Sequence, residues 1–149
     1  MHLLDVYRQR LNYPDLKRKV QELAKRDRPS KILIEDKASG TQLIQELKAQ
    51  GLHAVTAYQP PSGTDKIMRL HAQTAAFENG QVLLPARAPW LSDYVTELTS
   101  FPGSRHDDQV DSTTQALDHL RTYERKRLWV SPELLARSRI PDPRFARPR

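Results

Sequence analysis

The sequence predicts an α/β fold with a mixed or parallel sheet flanked by helices. Short apolar runs that suit strands alternate with segments in which apolar residues recur at helical spacing. Helical segments between strands are the crossover connections that parallel pairing needs. No apolar run approaches the roughly 20 residues that span a bilayer, and the chain has no cysteine for a disulfide or a thiolate metal site. These observations predict a layered domain in the cytoplasm.

The chain is predicted to open with a strand and a helix. The segment LLDVYRQRL at 3–11 mixes apolar and polar residues as strands do, and Pro14 stands where a helix can begin. The residues expected on the buried side of that helix are Leu16, Val20, Leu23 and Ala24. The segment RDRPS at 26–30 is expected to end it.

The second strand and the second helix are predicted next. KILIED at 31–36 is a short apolar run of the kind found in buried parallel strands. SGTQLIQELKAQG at 39–51 predicts a helix that stops at Gly51, with Leu43, Ile44 and Leu47 facing inward. Ligand sites in parallel sheets lie beyond the carboxyl ends of the strands, so Glu35 and Asp36 stand where a site is expected.

Two more strands and three more helices are predicted after this unit. HAVTAY at 53–58 and QVLLP at 81–85 read as strands, and helices are predicted at 65–80, at 89–98 and from the HDD segment to about residue 126. The apolar residues expected inside these helices are Ile67, Met68, Leu70, Ala75 and Phe77, then Trp90, Leu91, Tyr94, Val95 and Leu98, then Val110, Leu117 and Leu120.

The excess positive charge is concentrated at the C-terminal end. Residues 121–149 carry nine Lys and Arg against three Asp and Glu, whereas the other 120 residues carry fifteen of each sign. A basic segment suits a polyanion such as DNA, because each neutralised phosphate releases counterions. A solubilising extension is the other interpretation. We expect a folded domain over 1–124 and a basic Pro- and Arg-rich tail over 125–149, whose candidate DNA-binding residues are Arg125, Lys126 and Arg127.

Three aspartates crowd the start of the last predicted helix. Asp107, Asp108 and Asp111 lie in the segment SRHDDQVDSTTQALDHL. Carboxylates near a helix N-terminus are favourable and one Asp can cap it, but three exceed what capping needs. If this helix abuts the end of the strand at 32–35, its acids converge with Glu35. Carboxylates crowded in this way stay ionised only with a cation among them, and hard oxygen ligands suit Mg²⁺ or Mn²⁺.

Periodicity alone leaves the set of ligands open. Alternation along the strand places Glu35 and Asp36 on opposite faces. On the helix, Asp107 and Asp111 lie one turn apart, while Asp108 is about 100° round from Asp107. A residue at the start of the helix can still reach past the sheet edge, so Asp108 stays a candidate. The other interpretation of the pattern is a capped, solvated helix start with an unrelated surface Glu35.

Four blocks of the sequence carry a resemblance to a known family. They are LLDVYRQRLNYPDLKRKV, ILIEDKASGTQLIQELKAQG, KIMRLHAQTAAFENGQVLLP and HDDQVDSTTQAL, and they span roughly residues 3–120. In this order they resemble the C-terminal nuclease domain of phage terminase large subunits. The resemblance implies an RNase H-like fold that cuts double-stranded viral DNA during genome packaging, beside other packaging proteins, with two Mg²⁺ or Mn²⁺ ions at carboxylates.

The resemblance also assigns roles to individual residues. Glu35 falls on the family's acid at the end of the strand before the SG helix, and Asp108 falls on its late aspartate. Asp107 and Asp111 are implied to assist, Asp107 as a further metal ligand. The cations implied to hold DNA phosphates are Lys37, Lys66 and Arg69.

The sequence departs from the family pattern at its start. The family's first catalytic aspartate lies on a central strand, and two strands precede the segment that LLDVYRQRL matches. This sequence begins at that segment and contains no GxxxxGK[ST] phosphate loop of an ATPase motor. We therefore expect an N-terminally truncated nuclease domain, with weakened metal binding and reduced activity as an isolated chain. An open sheet edge would favour association between copies.

Two other functional interpretations compete with this one. Pro14-Asp15 followed by Glu35-Asp36-Lys37 matches the PD…(D/E)xK pattern of restriction-type nucleases. That pattern needs both acids on adjacent strands, whereas Asp15 opens a predicted helix. The second alternative is a non-catalytic DNA-binding or assembly module that acts through the basic tail.

Aromatic and histidine residues add little to the functional prediction. Helical spacing makes Trp90 and Tyr94 core residues rather than base-stacking groups. Trp129 stands beside basic residues, where stacking on a base stays open. The isolated His53 and His71 are interpreted as structural, and His106 is an open case beside the acids.

Overall fold

A computed structural model describes the backbone of residues 1–128 and the side chains of residues 1–123. The elements in chain order are α1 (Tyr13–Asp27), β1 (Ile32–Glu35), α2 (Ser39–Ala49), β2 (Val55–Tyr58), α3 (Lys66–Glu78), α4 (Leu91–Ser100) and α5 (Asp108–Leu128). Met1–Leu117 forms one compact unit, and a second unit begins at Asp118. No helix in the described part has the length and apolarity needed to cross a membrane. The mixed α/β class is confirmed.

The sheet of the described residues consists of β1 and β2, paired in parallel. Ile32 lies opposite Val55 and Glu35 lies opposite Tyr58. α2 forms the crossover between the two strands, as the parallel pairing requires. The core beside this sheet is built from Leu43, Ile44, Leu47 and Val55, and each is at most 6% exposed. The predicted inward face of α2 is thereby confirmed.

α1 begins and ends as its sequence predicts. The side chain of Asn12 accepts a hydrogen bond of 3.0 Å from the backbone N–H of Asp15, and Pro14 lies in the first turn, where the missing N–H costs nothing. At the other end, Arg28 has a φ of 47° and donates its N–H to the carbonyl of Ala24. Asp15 is therefore a first-turn acid that pairs with Arg18, and it lies on a helix rather than on a strand beside Glu35. The PD…(D/E)xK interpretation is wrong for this fold.

Two predicted strands are wrong. The segment 81–85 meets the N-terminal residues at an isolated parallel bridge between His2 and Leu83, beside which the Leu3 N–H donates to the Leu83 carbonyl at 3.0 Å. Beyond that bridge Leu4 is 84% exposed and Tyr7 is 44% exposed, while Leu3, Val6 and Leu11 are only half-buried, so the segment has no fully buried apolar face. Strand formation depends on such burial, and pairing therefore stops after one bridge.

The buried face of α3 also differs from the prediction. Ile67 and Met68 are 42% and 54% exposed, whereas Gln73 and Ala76 are buried. The helix has apolar residues on several sides, and packing selects a face that the spacing does not single out. In α4 and α5 the predicted Tyr94, Val110 and Leu117 are buried, but Val95 and Leu120 are each 40% exposed.

A pair of aromatic residues joins the start of α4 to the core. The rings of Trp90 and Tyr94 meet edge to face, with centroids 5.9 Å apart. The hydroxyl of Tyr94 forms a 2.9 Å hydrogen bond with the Thr113 hydroxyl on α5. Burial raises the pKa of Tyr94, and this hydrogen bond opposes the shift only in part. The core assignment of Tyr94 is confirmed. Trp129 and the tail lie outside the described residues.

Candidate active site

The strand end that carries Glu35 lies against α5. The Nε2 of Gln115 donates a 2.9 Å hydrogen bond to the Oε2 of Glu35. Gln115 lies one turn beyond Asp111 and two turns beyond Asp107, so these three residues share one side of the helix. The second turn of α5 therefore contacts the end of β1, where the sequence predicts contact with the first turn.

A glycine allows α2 to start directly against this strand end. Gly40 lies in the first turn of α2, and a Cβ at that position would collide with the backbone carbonyl oxygen of Glu35. The backbone N–H of Gly40 donates to the carbonyl of Lys37 at 2.9 Å, which closes the turn between β1 and α2. Gly40 of the SG pair is thus a packing requirement of the contact with the backbone of Glu35.

Lys66 bridges two of the three aspartates. Its Nζ lies 2.7 Å from the Oδ2 of Asp107 and 2.7 Å from the Oδ2 of Asp111. Desolvation lowers the pKa of Lys66, but the hydrogen bonds to Asp107 and Asp111 outweigh it, and the pKa lies above its ordinary value. The two carboxylates already converge on a single positive charge.

Arg69, one turn further along α3, completes this cluster. Its NH2 group donates to the Oδ1 of Asp111 at 2.9 Å, and its NH1 group donates to the carbonyl of Thr64 at 3.2 Å. The Arg69 side chain is only 14% exposed, and that of Asp111 is 20% exposed. α3 itself is capped by Asp65, whose side chain accepts from the N–H of Met68 at 2.8 Å. Ion pairs thus join the start of α3 to the start of α5.

Asp108 faces a different environment from Asp107 and Asp111. Its side chain is 78% exposed, and the NH2 group of Arg8 lies 4.0 Å from its Oδ2. Arg8, Gln9 and Arg10 form one wall of an open cavity of about 500 Å³ that Asp108 also lines. Asp108 is therefore the candidate acid that is most accessible to a ligand.

A buried glutamate holds the start of α5. Glu97 on α4 is 5% exposed, and its two carboxylate oxygens accept hydrogen bonds of 2.7 Å from the backbone N–H and the side-chain amide of Gln109. The guanidinium of Arg8 lies 3.2 Å from the same carboxylate. A carboxylate at this helix end satisfies an N–H that has no intrahelical partner and complements the macrodipole. Glu97 thereby fixes the turn on which the aspartates sit.

The residues beside Glu35 have separate roles. Asp36 accepts a 2.7 Å hydrogen bond from the Thr41 hydroxyl and a 3.5 Å one from the Gln59 amide. It thus braces the loop after β1 rather than the acidic cluster. Lys37 is exposed, and its side chain has no ion-pair partner within the described residues. It is free to contact a phosphate.

The sequence prediction missed three residues of the site. Gln115 follows Asp111 by four positions, a spacing that could have shown that it shares the acidic face. Glu97 follows the core residue Tyr94 by three positions, which also places it on the buried side of α4. Arg8 has no comparable signal, because its contact with Glu97 arises only from the tertiary fold. The side chains of Arg125, Lys126 and Arg127 lie outside the described part.

The carboxylate oxygens of the candidate site suit a hard divalent cation, although the described residues contain no preformed group of metal ligands. Glu35, Asp107, Asp108 and Asp111 offer carboxylate oxygens, which Mg²⁺ and Mn²⁺ prefer. Within the described part, no group of three or more acidic or histidine residues is arranged to hold a metal ion. Lys66 stands between two of the acids, and a cation at that point would replace its ammonium group.

These contacts define a mixed α/β domain in which the helix that carries the aspartates contacts, through Gln115, the acid at the end of a parallel strand. The family model of the terminase RNaseH-like domain matches residues 1–120. The chain therefore belongs to the terminase RNaseH-like domain family, and the resemblance and the RNase H-like fold class are confirmed. A comparison with curated proteins found no match, and neither did a comparison with solved structures.

Proposed function

We propose that this chain serves in the hydrolysis of DNA phosphodiester bonds during viral genome packaging, as part of a terminase large subunit. Membership of the terminase RNaseH-like family supports the nuclease class. The observation that carries the proposal is the 2.9 Å contact between Gln115 and Glu35, which brings the aspartate-bearing helix to the strand end. Double-stranded DNA in the cytoplasm of a bacterial host is the proposed substrate.

The proposed ligands of divalent metal are Glu35, Asp107 and Asp108, with Asp111 in support. Mg²⁺ or Mn²⁺ bound there would activate a water molecule and stabilise the leaving oxygen of the phosphodiester. Asp111 orients the cluster, because it is fixed by both Lys66 and Arg69. Lys66 and Arg69 neutralise the acids, and in doing so they let a polyanionic substrate approach an otherwise negative surface.

Nicking of supercoiled plasmid tests this proposal. We expect the full chain to nick DNA in Mn²⁺, and Asp108→Asn to reduce nicking to the level seen with chelator while circular dichroism shows the same fold. Asp27→Asn is the matched control, since Asp27 is a half-exposed acid on α1 whose ion-pair partner in the described residues is its neighbour Arg26. Nicking that persists in Asp108→Asn would contradict a role for this acid.

A second candidate function is a non-catalytic DNA-binding module. The excess of Lys and Arg in residues 121–149 favours it. In that case the chain binds DNA with an affinity that falls as salt rises and does not respond to chelators. The same plasmid assay separates the two, because a binding module retards DNA without cutting it in Mn²⁺.

Lys66 is expected to compete with a metal ion for the acidic cluster. Lys66→Met keeps the length of the side chain but removes the ammonium group that joins Asp107 to Asp111. We expect Mn²⁺ to bind about tenfold more tightly, because a nearby positive charge opposes a second cation. Electron paramagnetic resonance of free Mn²⁺ measures this. Lys48→Met, on the exposed side of α2, is the control, and equal affinities for the two variants would contradict the competition.

The proposed partners include other packaging proteins and a second copy of the chain. In the described part, β1 and β2 each have one neighbour in the sheet, so each strand keeps one edge without a strand partner. Unpaired strand edges are templates for association. The proposed mode of self-association is pairing through such an edge.

A further inference from the structure

A basic cleft lies beside the most exposed of the candidate acids. The cavity of about 500 Å³ is lined by Arg8, Gln9, Arg10, Arg105, His106 and Asp108. Three guanidinium groups and one carboxylate give it a positive balance. An adjoining cavity of about 440 Å³ shares Arg8, Arg105 and His106 and continues along α4 to Asp93 and Ser100. The two together form a groove longer than a single small anion requires.

The arginines of this basic cleft differ in how they are held. Arg8 is fixed by its 3.2 Å ion pair with the buried Glu97. Arg10 and Arg105 are exposed, and neither has an ion-pair partner among the side chains of residues 1–123. By contrast, Lys66 and Arg69 are occupied by Asp107 and Asp111. The cavity that Asp108 lines therefore contains arginines without an ion-pair partner in the described residues, whereas the cations of α3 are already paired.

We propose that the basic cleft binds a phosphate of the DNA backbone, with Arg10 and Arg105 as its contacts and Arg8 as the residue that holds the wall in place. A guanidinium group presents paired donors that match phosphate oxygens. Asp108 lines the same cavity, so a phosphate held there places the DNA strand against the candidate catalytic acid. The inference rests on the proposed function for the identity of the anion.

DNA binding in the presence of EDTA tests the basic cleft without any cutting. The probe is a dye-labelled DNA duplex followed by fluorescence anisotropy across a salt series, with the full chain. We expect Arg10→Ala and Arg105→Ala each to weaken binding about tenfold. Each should also reduce the slope of log affinity against log salt by about one.

Two further variants sharpen this test. Arg10→Lys and Arg105→Lys keep the charge, so we expect the salt slope to stay while affinity falls by a smaller factor, because the paired donors are lost. Arg87→Ala is the matched control: Arg87 is exposed, lies outside the cleft and has no ion-pair partner in the described part. Its affinity and slope should follow the unmodified chain. Thermal unfolding checks that every variant is folded.

The outcomes separate this inference from the proposed nuclease function. Unchanged affinity and salt slope in folded Arg10→Ala and Arg105→Ala would overturn the phosphate site. That result would not contradict the proposed nuclease function, which plasmid nicking tests separately. If Arg10→Ala and Arg105→Ala lose no more DNA affinity than Arg87→Ala does, the phosphate site is overturned too. The loss of one positive charge would then explain the whole effect. Arginine-dependent binding by a chain that fails to nick DNA would support the site while contradicting catalysis.

Discussion

Replacing Gly40 with alanine should lower the free energy of unfolding by about 3 kcal/mol or more. The new Cβ would collide with the carbonyl oxygen of Glu35, the last residue of β1, which is in register with Tyr58 of β2. Alanine in a helix gains about 1 kcal/mol over glycine in propensity. The steric cost exceeds that gain, because neither the start of α2 nor the end of β1 can move without breaking the parallel pairing.

The adjacent position supplies the control for this prediction. Ser39 is exposed in the same first turn of α2, and Ser39→Ala should change stability by no more than about 0.5 kcal/mol. Urea denaturation followed by circular dichroism measures both variants. The NMR signals of the Gln115 side-chain amide report whether Glu35 has shifted. A Gly40→Ala chain as stable as Ser39→Ala would show that α2 does not pack against the strand end.

The elements that could be predicted are those in which the spacing of apolar residues along the sequence matches the face that packing buries. The helix at 39–51 has its large apolar residues, Leu43, Ile44 and Leu47, where the structure buries them, and the apolar residues of the strand at 31–36 are half-buried beside them. The segment 3–11 has no such agreement. Its strand would need a sheet face to cover Leu4 and Tyr7, and that information lies in tertiary contacts rather than in local periodicity.

The candidate site also has one part that the sequence predicts and another that depends on tertiary contacts. The sequence predicts acids at the start of one helix and an acid at a strand end where ligand sites are expected. The contact between that helix and the strand end is a supposition in the sequence, and the structure supplies it through Gln115 and Glu35. The partners of those acids do not follow from spacing, because Lys66 and Asp107 are brought together by the packing of α3 on α5 over a separation of 41 residues. Asp108 is predicted as the main ligand, yet spacing alone does not reveal that its neighbour is Arg8 rather than Lys66.

Replacing Glu97 with alanine should lower the free energy of unfolding by about 3 kcal/mol. The change leaves the backbone N–H and the side-chain amide of Gln109 without their acceptors in a buried site, and it leaves Arg8 without its ion pair. Glu97→Gln should cost roughly half as much, because its carbonyl oxygen can still accept from the Gln109 N–H while its amide group cannot pair with Arg8.

An exposed glutamate provides the comparison for Glu97. Glu22 on α1 pairs with Lys19 at 2.6 Å, and its side chain is 64% exposed, so Glu22→Ala should stay within about 0.5 kcal/mol of the unmodified chain. Urea denaturation ranks the three variants. Glu97→Ala as stable as Glu22→Ala would mean that the start of α5 is held by other contacts. The expected order instead makes the buried carboxylate on α4 a support of the first turn of α5, beside the ion pairs of Lys66 and Arg69, because it supplies the acceptor for the Gln109 N–H.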